Sequence, residues 1–305
     1  VVDRSSGGTK TDTPLIEVPQ SVSVVSRKQI ETQNAQSVTE MLRYVLGVTI
    51  ETYGPDPKGY DWILMRGFNA QSTSSYQDGL RQLSNSYTFF RNDPYELDSV
   101  EVLRGPVSSL YGQSDAGGLV NRITKKPQAE AFHEASVEYG SFNRKQFGVD
   151  LTGPVNEDKT LLYRLIGVVR KSDTQFEYSN GDKVKDDRCM IAPSLTWAPD
   201  ADTTLTVSGQ LLRDDSGGSV LPATISNLYP GLPDILVGDP DFNRSVQKQG
   251  SIGYEFEHHV NDTWTLKQNL RYGQVSFLLD NVLALGLGPT GITRQARRFD
   301  ENMSG

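Results

Sequence analysis

From Pro127 onward the chain alternates apolar and polar residues with a period of two, segment after segment, and no other feature restricts its fold as strongly. Ala131, His133, Ala135, Val137 and Tyr139 fall on one side of a pleated strand, against Glu134, Ser136 and Glu138 on the other. Phe147, Val149, Leu151 and Gly153 oppose Gln146, Asp150 and Thr152 in the same way. So do Leu205, Val207, Gly209 and Leu211 against Thr204, Thr206, Ser208 and Gln210, and Trp264, Leu266, Leu270 and Tyr272 against Thr265, Lys267, Asn269 and Arg271. Each segment has about the length that a tilted strand needs to cross a bilayer. Several end in an aromatic (Tyr139, Trp197, Tyr272), as strands do at a membrane interface.

Only 36% of the residues are hydrophobic and the mean hydropathy is -0.46. No run approaches the ~20 apolar residues of a transmembrane helix. That leaves a soluble chain or a transmembrane β-barrel, whose alternation hides its apolar face. Loop lengths separate the two. Brief turns at Asn156–Lys159, Asp200–Asp202 and Asn261–Asp262 alternate with longer connections at Ser172–Asp186, Asp214–Arg244 and around Asn281–Gly291. Short turns on one side and long loops on the other are the pattern of an outer-membrane barrel, and a soluble sandwich has no need of it. The short Gly140–Asn143 connection is the exception, on the long-loop side. About eight strand segments precede Gly305, and eight can close a small barrel. Such a barrel has no room inside for the folded domain that comes before, so the chain reads as the first part of a larger one.

Before Pro127 the texture is mixed. Val22–Val25 reads as a short strand after Pro19, Ser26 as the cap of a helix through Arg27–Gln33, and Ser37 as the cap of another over Val38–Tyr44. The second helix puts Val38, Met41, Leu42 and Val45 on one face, and Gly47 stops it. Ile63–Met65, Val100–Leu103 and Leu119–Thr124 read as buried strands. The expected fold is an α+β domain over 1–127 and an antiparallel transmembrane barrel portion over 128–305.

The first domain also carries motifs. Thr9–Val25 (TKTDTPLIEVPQSVSVV), Ser37–Val48 (SVTEMLRYVLGV), Ile63–Phe68 (ILMRGF), Tyr76–Leu80 (YQDGL) and Asp93–Pro127, with R-G-P-x-S-x-L-Y-G followed by G-G-L-V-N, occur in that order. By these the domain resembles the plug of TonB-dependent siderophore receptors, with wording nearest to the ferrichrome-type and related hydroxamate receptors. The resemblance implies a plug inside a barrel of about 22 strands in the bacterial outer membrane. It implies energy-coupled uptake of a ferric siderophore, with TonB (and ExbB/ExbD) as partner, outer-membrane lipid around a monomer, and phage or bacteriocin as secondary users. Iron then arrives wrapped in its ligand, and no resident cofactor or catalytic residue is expected. Haem, cobalamin or a glycan are alternative cargoes in the same class.

By motif position the resemblance places ligand contacts at Tyr53, Gln71, Ser72 and Tyr87. Tyr53 stands where ferrichrome-type receptors tend to carry Arg, and Ser86 where they carry an aromatic. Phe89, in the same outward loop as Tyr87, and Tyr229, in the long connection, join the candidates as aromatic surface for a compact polar ligand. Arg66 and Arg104, from R-G-F and L-R-G, are expected to face the barrel wall and pair with its carboxylates. The bidentate guanidinium suits such contacts. The alternative is that each ties down a plug loop.

Other classes find less in the residues. A net charge of -8 and a pI near 5.0 argue against nucleic acid. There is no nucleophile elbow, H-E-x-x-H or Cys-His set for an enzyme, and a soluble β-rich carbohydrate-binding protein is the remaining alternative. Gly117–Gly118 lacks the G-K-S/T of a phosphate loop. His258 and His259 are adjacent on a strand and point to opposite faces, a poor chelate. The acidic pairs Asp186–Asp187 and Asp214–Asp215 read as solvated loop charge, and Cys189 as a small apolar strand residue.

Overall fold

Ser26 ends one element and starts the next. It closes strand β1 (Ser21–Ser26), and its side chain accepts the Gln29 N–H while the Gln29 side chain accepts the Ser26 N–H, a capping box on helix α1 (Arg27–Gln33). The structure, a computed structural model, describes residues 4–305 apart from 6, 12, 53–60, 86, 179, 219–237 and 290. Ser37 caps α2 as expected, but that helix stops at Met41 instead of Tyr44 (Val38–Met41). The following turn is tightened by i to i+3 bonds, Arg43 N–H to Glu40 and Val45 N–H to Leu42, and Gly47 closes it at φ 75°. Met41 and Leu42 are fully buried all the same.

Five further strands build most of the plug sheets: β2 (Val48–Ile50), β3 (Ile63–Met65), β4 (Ser75–Gln77), β5 (Leu97–Arg104) and β6 (Gly118–Thr124). Central β5 pairs antiparallel with β1 and with β6, and β6 runs parallel to β4. Two short helices, α3 (Ala70–Thr73) and α4 (Ser108–Tyr111), sit between strands. Ile30, Val38, Met41, Leu42, Ile63, Met65, Val100, Val102 and Val120 form the main core. The Gly117–Gly118 pair is there for close packing. A Cβ on Gly117 would lie 2.3 Å from the Met65 carbonyl oxygen, and one on Gly118, at φ 123°, 2.0 Å from that of Leu103.

After β6 the chain builds one curved sheet of eight antiparallel strands in chain order. These are β7 (Phe132–Gly140), β8 (Arg144–Pro154), β9 (Leu161–Lys171), β10 (Lys183–Trp197), β11 (Thr203–Ser216), β12 (Arg244–His259), β13 (Thr265–Gly288) and β14 (Gly291–Ser304). A short arm, Asp173–Glu177, folds back on β10. Among the described residues β7 and β14 do not pair, so the sheet is open: a portion of a barrel wall. The alternation holds. Val137, Tyr139, Phe147, Leu211, Ile252, Leu270 and Tyr272 are exposed on the outside, while Gln146, Asp150, Thr152, Thr206 and Gln210 are buried against the plug.

One connection differs from its expectation. The stretch around Asn281–Gly291 is a continuation of β13, 24 residues long, paired with β14 up to Gly288 and Gly291. At about 3.3 Å per residue it spans about 80 Å, far past the ~30 Å apolar layer of a bilayer. Its glycines look like loop residues in sequence, yet a bulge between Ala284 and Gly286 absorbs the irregularity. The Gly140–Asn143 turn is short as read, with Phe142 and Asn143 both at positive φ. No helix among the described residues is long and apolar enough to cross a membrane.

Candidate functional site: the seam between plug and wall

The inner face of the wall meets the plug through charge. Asp93 caps the turn before Pro94–Glu96, accepting the Tyr95 N–H at 2.9 Å through one oxygen and Arg188 from β10 at 2.8 Å through the other. Arg188 also grips Asp214 of β11 with two bonds, 2.6 and 2.8 Å, and Arg91 of the plug lies 3.4 Å from the same carboxylate. All four side chains are at least nine-tenths buried. Burial would raise the Asp93 carboxyl, but Arg188 and Arg170 outweigh it and hold the group below the usual carboxylate range.

Three residues further on, Glu96 is buried with no cation within 4.0 Å among the described residues. It accepts Asn92 at 2.9 Å, the Asp93 N–H at 3.0 Å and the Gln210 amide of β11 at 2.7 and 2.9 Å. Burial dominates those bonds and pushes its carboxyl up to about 7. Beside it, Gln249 of β12 brackets the backbone of Arg91, accepting its N–H at 3.0 Å and donating to its carbonyl at 2.7 Å.

Toward the short-turn end, Asp78 of the Y-Q-D-G-L turn stands at φ 50° and accepts the Thr124 N–H at 2.9 Å. Its carboxylate meets Arg271 of β13 at 3.1 Å and Lys126 at 3.4 Å, and Lys126 also bonds Glu255 of β12. Lys125 reaches Asp150 of β8 at 2.7 Å, where Arg164 of β9 adds bonds of 2.8 and 2.7 Å. A polar crevice of about 550 Å³ opens here, lined by Lys10, Asp78, Tyr111, Lys126, Glu255 and Lys267.

The residues singled out in the sequence are placed as follows. Tyr53, Tyr229 and Ser86 lie outside the described residues, as do the whole Tyr53–Tyr60 loop and most of Asp214–Arg244. Gln71 is in α3, where its N–H is capped by the Asn69 side chain at 2.9 Å and its side-chain oxygen is buried without a partner among the described residues. Ser72 follows it in the same turn of helix. Tyr87 packs against Phe299 of β14 with ring centroids 4.6 Å apart and planes tilted by 49°, and its neighbour Thr88 donates to Glu301 at 2.5 Å. Phe89 departs from expectation. It is 5% exposed, with the Arg91 guanidinium 5.2 Å over its ring and Gln247 of β12 on its carbonyl, so it offers a ligand no surface here.

Among the described residues Arg104 bonds its own domain. Its guanidinium bonds the Leu46 carbonyl at 2.8 Å, Ser21 at 3.1 Å and Ser23 at 2.8 Å, tying the turn after α2 to β1. Burial, and then the neighbouring Arg66, lower its pKa. Arg66 is exposed at φ 51°, its N–H on the Gly47 carbonyl. Tyr44, Leu46 and Phe68 are exposed beside these two arginines, so this face of the plug is not covered by the described strands. The seam itself went unread in the sequence. Its signal was there: Asp150, Arg164, Arg188 and Asp214 all occupy the inward phase of their strands, where an isolated charge would be costly.

Comparison with known proteins adds to this geometry. Residues 14–119 match the family described as the TonB-dependent receptor plug domain. The chain is 35% identical over 315 residues to the ferrioxamine B receptor of Salmonella typhimurium strain SL1344, covering 98% of this chain and 43% of that protein. It is 35% identical over 292 residues to the ferrichrome outer membrane transporter/phage receptor of Escherichia coli K12, covering 93% and 38%. Among solved structures, Pseudomonas aeruginosa FpvA bound to a heterologous pyoverdine superposes with a TM-score of 0.86 at 20% identity, covering 99% of this chain and 40% of that one. The chain thus spans about two fifths of the length of the curated relatives it matches.

Proposed function

The chain belongs to the TonB-dependent receptors of the bacterial outer membrane, and on that premise we propose that the full-length protein imports a ferric siderophore, with a hydroxamate as the nearest class. The observation that carries the reading is a folded plug bound to the polar inner face of a transmembrane wall by buried charged contacts, centred on Asp93, Arg188 and Asp214. A passive pore has no use for such a domain. The relatives named for ferrioxamine and ferrichrome supply the cargo class.

In this reading the plug spans 1–127 and the ligand settles on its outward loops. Gln71 and Ser72 lie in the short helix α3 of one such connection, and Tyr87 stands against Phe299 on another. Tyr53 and Tyr229, outside the described residues, are the further ligand contacts in this proposal. Iron stays within its ligand, and the protein performs no covalent chemistry. TonB, driven by ExbB and ExbD, engages the N-terminal side and displaces the plug. Arg66 and Arg104 are then placed to meet carboxylates of the remaining wall. Outer-loop binding of phage or bacteriocin is a secondary use.

The test is a fluorescence titration of the full-length receptor in detergent against ferric siderophores, haem and cobalamin, following Trp62. Saturable quenching at sub-micromolar ferric hydroxamate, absent with the iron-free ligand, is the expected result. A response to haem or cobalamin alone would overturn the siderophore assignment and keep the transporter class.

A further inference from the structure

The outward loop that carries Tyr87 is stretched between the two parts of the molecule. Ser84–Asn85 pairs antiparallel with Thr88–Phe89, and Tyr87 sits in the connection between them. The first foot of the loop, Gln82, is buried and tied to the plug. Its side chain accepts from Ser75 at 2.8 Å and from Arg122 at 2.9 Å, and donates to Asn92 at 2.9 Å. The second foot, Phe89–Arg91, is held from the wall at every residue. Gln247 of β12 donates to the Phe89 carbonyl at 2.9 Å. The Phe90 ring lies against Gly273 of β13, where an added Cβ would stand 2.6 Å from it. Gln249 takes both backbone groups of Arg91, the N–H at 3.0 Å and the carbonyl at 2.7 Å.

The two glutamines hold each other as well. The Gln247 amide donates to Gln249 at 2.7 Å, and Gln249 donates on to Gln210 at 2.6 Å. A side-chain amide offers one acceptor oxygen with two lone pairs and two N–H donors, and Gln249 uses all four positions. It cannot turn without breaking a bond. Both glutamines are buried, so they fix the backbone below Tyr87 from a place no ligand reaches.

We propose that Gln249, with Gln247 and Gly273, positions the Tyr87 loop for the ligand without touching it, which rests on the reading of Tyr87 as a ligand contact. A loop that samples several shapes binds only through the fraction of molecules in the competent one, and apparent affinity falls with that fraction. The wall grip raises the fraction before the ligand arrives. One foot belongs to the plug and the other to the wall, so a plug displaced against the wall deforms the loop. The same grip therefore couples plug movement to ligand release.

The experiment follows the full-length receptor in detergent through two readouts. In the first, ferric ferrioxamine B is added by stopped flow and Trp62 fluorescence is recorded. Gln249→Met should slow association about tenfold and Gln247→Met about threefold, with the dissociation rate unchanged. Gly273→Ala removes no side-chain hydrogen bond, yet should act in the same direction by displacing Phe90. The second readout needs no ligand. A spin label at the exposed Asn85 (Asn85→Cys in an otherwise cysteine-free receptor, with Cys189→Ser) should be immobilised in the parent and gain a mobile component in all three variants. Thr196→Val breaks a buried wall bond to Thr206 near the short turns and should change neither readout. Failure of the parent to bind ferrioxamine B would contradict the cargo reading, and the label would then decide the role of the grip. An unaltered label in all three variants, or a loss of affinity confined to the dissociation rate, overturns the proposal.

Discussion

The two faces of the plug are held by different means. One lies on strands β8–β13 and is fastened by buried pairs: Arg188 with Asp93 and Asp214, Lys125 with Asp150, and Asp78 with Arg271. The other, around Arg66, Arg104, Tyr44 and Leu46, is exposed, and its one strong polar cluster ties the plug to itself. The difference matters because buried and exposed charges do not contribute equally. An exposed pair is worth about 0–1 kcal/mol, whereas stripping one partner from a buried pair costs about 3–5. The seam with the first strands is thus expected to be the firm one, and rearrangement of the plug is expected to begin on the Arg66 face.

Arg188→Ala should break this contrast most. It leaves the Asp93 and Asp214 carboxylates facing each other in a buried site, and hydrogen exchange of the Asp93–Glu96 turn should speed up by the equivalent of about 3–5 kcal/mol. Arg104→Ala, by comparison, should loosen only the Leu46 turn, by about 1 kcal/mol. Equal effects at the two sites would erase the distinction.

Acidity should sharpen it next. The folded-state pKa of Glu96, about 7, lies above its ordinary value of 4.5. Between those values the folded seam binds more protons than the unfolded chain, so this group's contribution is full below pH 4.5 and is lost as pH rises through 7. Exchange protection of the seam, compared with Glu96→Gln, should fall by at most about 3 kcal/mol over that window. Asp93, held below the usual range, works in the opposite sense and is lost in stronger acid. A wild type and Glu96→Gln pair with parallel pH profiles would rule the assignment out.

Ser26→Ala gives a small change of the same order as Arg104→Ala. Losing the capping box should destabilise α1 by about 1 kcal/mol, read from exchange of its first turn, and leave the Asp93–Glu96 turn untouched.

Much of this molecule was legible because its local rules are strong. Period-two alternation gave the wall strands and their outward faces, and the Ser26 and Ser37 caps gave the helix starts. Sequence could not show the seam, since Asp93 and Arg188 meet across 95 residues, and Arg170, the register partner of Arg188, presents the same residue type to the same face. The long β13–β14 hairpin was hidden by glycines that read as loop. Phe89 was misplaced because an aromatic in an outward loop looks exposed until Gln247 and Arg91 are seen to cover it. The barrel-facing expectation for Arg104 rests on its motif, and among the described residues its guanidinium bonds only its own domain.

The central claim is that a plug held in this way serves energy-coupled uptake. The most direct measurement is accumulation of radiolabelled iron by cells whose sole receptor for the ligand is the full-length protein, supplied as the ferric hydroxamate that quenches Trp62, with and without TonB. Accumulation that requires both the receptor and TonB is the expected result. Accumulation independent of TonB, or binding at the surface with no iron entering in either strain, would contradict it.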